Sequence, residues 1–118
     1  MEFLRENAME FEKTAREKLE QGSVKMAMFC LEQAFQLYLK YFLAKSIGDF
    51  PRTHSLRRLV KEASKISDEL LAFSREYSDL LGNVERAYIG ARYYPMEFDR
   101  GDVERGLKAL EIMKRLIL

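Results

Sequence analysis

Little in this sequence bends, cross-links or strongly charges a chain. Among 118 residues there are two prolines, six glycines, no tryptophan, one cysteine and one histidine. So few turn formers give too little punctuation for an all-β chain and favour long helices. A single cysteine excludes an intrachain disulfide and suits a reducing interior. Cys30 lies in an apolar run, so it reads as a packed core thiol rather than a reactive one. With one histidine and one cysteine, zinc sites of the usual Cys/His type are excluded. A Ser-His-Asp arrangement would have to use His54, yet no nucleophile-elbow sequence is present. No glycine-rich phosphate loop of the Walker or dinucleotide type occurs. Net charge is +1, so no global field draws the chain to nucleic acid or to an anionic membrane. The 19 carboxylates are scattered as on a solvated helical surface, with none standing out as a metal cluster. Neither metal nor cofactor is expected, and nothing reads as a self-sufficient enzyme active site.

What remains is a globular composition, 47% hydrophobic and 33% charged, in a length that suits one domain over residues 1–118. Met1 to Lys13 is rich in glutamate and has no apolar h-region, so no signal peptide is expected. The most apolar stretch, Val24 to Ala44, is interrupted by Lys25, Glu32, Gln33, Gln36 and Lys40 and cannot span a membrane. A cytoplasmic location is expected.

The periodicity predicts five helices. Over Glu2 to Gln21, Leu4, Ala8, Phe11, Ala15 and Leu19 form one stripe, and Gly22 with Ser23 ends that helix and caps the next. Val24 to Lys45 is apolar round most of its circumference, with Lys25, Glu32, Gln36 and Lys40 on one narrow polar strip, and reads as the central helix. After the turn around Gly48, Asp49 and Pro51, a short third helix carries Leu56, Leu59, Val60, Ala63 and Ile66, with Thr53 or Ser55 as its cap. From Leu70 to Ala91 one helical phase survives across Gly82, which predicts a single long fourth helix ending near Arg92 or Tyr93 before Pro95. After a loop from Tyr94 to Gly101, Asp102 is the expected cap of a fifth helix with Val103, Leu107, Leu110, Met113 and Ile117 inward. Short connectors between these helices imply an all-α, up-and-down antiparallel five-helix bundle.

Two local features stand out. Phe50 to Lys61 holds Arg52, His54, Arg57, Arg58 and Lys61 with no acid, where a helix begins. Backbone N–H groups and cations there suit an anion; the alternative is a solvated basic turn in which His54 helps to cap the helix. Ala91 to Pro95 brings Arg92, Tyr93 and Tyr94 to a helix end. Arginine and tyrosine at such a point suit a phosphate or a planar base; the alternative is that the rings pack under the bundle while Arg92 pairs with a carboxylate. In an up-and-down bundle the third helix leaves the end where His54 lies and the fourth returns toward it, so the two features are expected to be neighbours.

Phe29, Glu32, Gln33 and Ala34 with Lys40 in the second helix, Thr53-His54-Ser55-Leu56 opening the third, and Ala91-Arg92-Tyr93-Tyr94-Pro95 ending the fourth together resemble the HEPN domain family (higher eukaryotes and prokaryotes nucleotide-binding). The resemblance covers nearly the whole chain. It implies an all-α bundle, often a homodimer, commonly encoded beside a small nucleotidyltransferase. It also implies one of two functions: nucleotide binding beside that transferase, or ribonuclease activity as a toxin. The ribonuclease branch carries an arginine followed four to six residues later by a histidine. Here Ile47, Gly48 and Asp49 stand where that arginine would precede His54, so the groups that handle a scissile phosphate and its proton are missing. The usual Arg-Tyr-Pro also gains a second tyrosine.

The sequence therefore leads to a non-catalytic nucleotide-binding module, acting with a minimal nucleotidyltransferase in a toxin-antitoxin-like pair. Its site would comprise Arg52, His54, Arg57 and Arg92 on phosphates and Tyr93 or Tyr94 on the base. The alternatives are a HEPN-type ribonuclease toxin with a degenerate motif and a protein–protein adaptor.

Overall fold

The computed structural model describes residues 1–93 and 97–118, with the side chains of Ala91 and Arg92 also outside the described set. Among the described residues all regular structure is helical. Helix α1 (Glu2–Glu20) and helix α2 (Val24–Ile47) form a tight hairpin through three residues. Gly22 makes the turn at φ 80°, a left-handed angle that costs glycine nothing. Gly48 does the same at the end of α2, at φ 83°, where its N–H caps the carbonyl of Ala44.

Helix α2 is the axis of the molecule. Met28, Leu31, Phe35, Tyr38 and Leu43 are completely buried, because other helices pack against it on several sides. Its polar strip does not face solvent as a whole. Lys25 is exposed, but Glu32 and Gln36 are buried, turned toward the segment that opens the third helix. In α1 the expected stripe holds, with Phe11 only half-buried and one addition, Glu12. Glu12 is buried because three donors meet it: Tyr38 at 2.8 Å, Arg16 at 3.0 Å and Lys114 at 3.0 Å.

Helix α3 (Leu56–Ser64) is capped by Ser55, whose hydroxyl accepts from the Arg58 N–H. The predicted long fourth helix is three segments: α4 (Asp68–Glu76), α5 (Ser78–Glu85) and α6 (Ala87–Tyr93). Gly82 is not the cause, for it lies inside α5 and accepts there from the Arg86 N–H at 3.3 Å. The breaks fall at Tyr77, where the backbone leaves helical angles at φ −105° and ψ 21°, and at Arg86. At Arg86 the angles remain helical, and Leu70, Phe73, Leu81, Val84 and Ala87 all lie in the core across both breaks.

Helix α7 (Arg100–Ile117) closes the bundle. Its cap is Asp99 rather than Asp102. The Asp99 carboxylate accepts from the Asp102 N–H at 2.7 Å, and the Asp102 carboxylate accepts from the Asp99 N–H at 2.9 Å. This is a reciprocal capping box, so the sequence signal at Asp102 was its inner half. Cys30 is buried in the main core, which pushes its thiol pKa up.

Candidate functional site

The segment Arg52 to Leu56 lies against the middle of α2, where the buried part of the polar strip holds it. The side-chain amide of Gln36 donates to the Glu32 carboxylate at 2.6 Å and to the backbone carbonyl of His54 at 3.1 Å, which uses both of its hydrogens. Gln33 donates to the other Glu32 oxygen at 2.9 Å. Burial pushes the Glu32 carboxyl up to about 7, against the hydrogen bonds from Gln36 and Gln33, which favour its charged form; the nearby charge of Glu85 adds to the rise. Neither link was evident from composition or periodicity, because a glutamate and a glutamine four residues apart on a helix are usually a solvated pair.

Fixed by its backbone, His54 lays its exposed ring on Tyr88 of α6, with centroids 5.0 Å apart and planes 15° from parallel. The start of α3 and the start of α6 thus lie side by side, against the middle of α2. Position 92 is one helical turn beyond Tyr88. Tyr88 had been visible only as a member of an apolar stripe.

Phe50 gathers positive charge beside this stack. The Arg52 guanidinium sits 4.3 Å from the Phe50 ring centroid and the Lys40 ammonium 5.8 Å from it. Partial burial lowers the Lys40 pKa, opposed by the charge of Glu32 and reinforced by that of Arg52. Arg52 is largely solvent-exposed and meets Asp49 at 3.6 Å. Such a pair contributes little in water and leaves the guanidinium free to exchange partners.

Arg57 takes a different direction. Its backbone N–H donates to Glu85 at 3.2 Å, its Nε lies 3.5 Å from the same carboxylate, and the tip of its guanidinium lies over Gly82. Glu85 also accepts from the Ser55 hydroxyl at 3.3 Å. The N-terminus of α3, expected to be open to an external anion, already holds an internal one. Tyr93 is 71% exposed, the most exposed large apolar side chain of the described set. Tyr94 and the Arg92 side chain lie outside the described residues.

The arrangement is therefore a stacked imidazole and phenol held against the middle of α2, with two cations gathered at Phe50, four residues before His54. No group of three or more possible metal ligands exists among the described residues. Hydrogen bonding and π-stacking are what this surface offers.

A helical bundle with an imidazole–phenol stack and nearby cations on its surface is the class these observations define. The sequence profile of the HEPN domain matches residues 1–117, and the chain belongs to the HEPN domain family. At that level the family supports a nucleotide-binding or RNase-type module. No curated protein matches the chain. No helix among the described residues is long and apolar enough to cross a membrane.

Proposed function

We propose that the protein is a non-catalytic nucleotide-binding module whose site is the surface around His54. The observation that carries this reading is the His54–Tyr88 stack beside Arg52 and Lys40. It supplies a flat aromatic surface and two cations within one small area, the two requirements of a nucleotide. Arg92, Tyr93 and Tyr94 follow Tyr88 in sequence and complete the proposed site. Arg57, held by Glu85, contributes to it only after exchanging that carboxylate for a phosphate. The chain acts as a homodimer with a small nucleotidyltransferase partner, in a toxin-antitoxin-like pair.

A ribonuclease would need a second group to pair with His54 in proton transfer. The described cationic neighbour that precedes His54 is Arg52, two residues away and turned to Phe50. The test has two arms, incubation with RNA and titration with mononucleotides. Nucleotide binding without RNA degradation is expected. Robust RNA cleavage abolished in His54→Ala would invert the assignment.

A further inference from the structure

On another face, helices α3, α4 and α5 enclose a groove of about 550 Å³ that the proposed nucleotide site does not use. Its floor is aliphatic, made by Val60, Leu71 and Leu81. Along one wall stand Arg57, Lys61 and Lys65, spaced by four residues, so that all three lie on one edge of α3. The eight residues from Arg57 to Lys65 measure about 12 Å along a helix, a little over two turns.

The opposite wall is neutral. Ser74 and Ser78 line it, and the Ser74 hydroxyl is already committed to the Leu71 carbonyl at 2.7 Å. No acidic residue lines the groove among the described residues. Lys61 has no acidic partner among them, and Arg57 and Lys65 hold theirs, Glu85 and Glu62, through pairs in which the cation is more than half exposed. A row of exposed cations, one of them without an internal acid, beside an unfilled aliphatic trough is a surface that lacks its complement.

We infer that this groove docks an acidic amphipathic helix of a protein partner, through leucine-like side chains on the floor and carboxylates along the Arg57–Lys61–Lys65 edge. The charge complement selects an acidic occupant. Cations at helical spacing over about two turns match carboxylates four residues apart on a second helix. The floor carries no aromatic ring and so offers no stacking surface for a base, which separates this site from the surface around His54. With one charged and one neutral wall, the partner helix has a single favoured rotation about its axis. The inference does not depend on the nucleotide reading, since Arg57 alone borders both regions.

The probe is a labelled, helix-stabilised peptide with leucines at i, i+4 and i+7 and glutamates along one flank, measured by fluorescence anisotropy on the full chain. The expected result is saturable binding that weakens by about tenfold or more in Lys61→Glu/Lys65→Glu and at raised salt. A matched peptide with lysine in place of glutamate should not bind. Both substituted side chains are exposed, so the variant should melt with the parent. Ser74→Trp, which fills the groove from its neutral wall, should abolish binding without reversing charge. Equal binding of the acidic and basic peptides, or undiminished binding by the charge-reversed variant, overturns the proposal. So does saturation by decanoate with no peptide binding, which would make the groove a small-amphiphile site.

Discussion

Glu32 and Glu12 are both buried carboxyls, yet their surroundings push them in opposite directions. Burial dominates at Glu32 and raises its pKa to about 7. At Glu12 burial also raises the pKa, but the hydrogen bonds from Lys114, Tyr38 and Arg16 together outweigh it, and the net shift is downward. A raised carboxyl contributes stability that is present below its unfolded value of 4.5 and lost as pH climbs through about 7. A lowered one contributes stability present above the unfolded value and lost as pH falls. Thermal stability should therefore peak near pH 5, decline toward neutrality and then level off. In Glu32→Gln the declining limb, worth roughly 3 kcal/mol from the size of the shift, should flatten. Melting curves at a series of pH values check this; an unchanged limb in Glu32→Gln would assign it to another group. Lys114→Met should cost roughly 1–3 kcal/mol at pH 7, because it strips a charged donor from buried Glu12. Chemical denaturation of the two proteins measures that difference.

Two helical glycines test the packing of whole elements. A Cβ at Gly106 of α7 would meet Leu31 in the core, whereas one at Gly82 of α5 would meet the far end of the Arg57 side chain. Gly106→Ala should destabilise by roughly 1–3 kcal/mol through overpacking. Gly82→Ala should be neutral or stabilising by up to about 1 kcal/mol, since the helix gains propensity and an exposed guanidinium moves aside. Equal costs in denaturant melts would mean that Arg57 is as fixed as Leu31.

The helices themselves were legible in the sequence because apolar spacing and capping residues report local geometry. The hairpin at Gly22, the cap at Ser55 and the central place of α2 all followed from such signals. The division of the fourth helix was not legible, because its apolar residues keep one phase across both breaks. The candidate site was legible only in part. His54 and Arg52 announced themselves by type. Glu32, Gln36 and Glu85 did not, because what distinguishes a buried carboxylate from a solvated one is the element opposite, and no local pattern encodes that. Tyr88 was hidden for the same reason, as one apolar position among many until His54 lay on it.

For the molecule as a whole, the surface around His54 is a proposed binding surface supported by a buried polar strip. The proposed homodimer would be twofold and isologous, as most homodimers are. Sedimentation at high micromolar concentration should show twice the monomer mass; a monomer there contradicts the dimer. Tyr93 bears on the surface alone. Being largely exposed, it should leave the melting temperature unchanged when replaced by alanine, while nucleotide affinity falls.

The most direct measurement of the central claim is calorimetric titration of the intact protein and of His54→Ala with the same panel of mononucleotides. His54 is exposed, so both proteins should be equally folded. The account predicts saturable binding of at least one nucleotide to the parent protein, with affinity lowered in His54→Ala by the loss of a stacking ring worth roughly 1–3 kcal/mol. Absence of binding across the panel, or equal affinity in the two proteins, would contradict it.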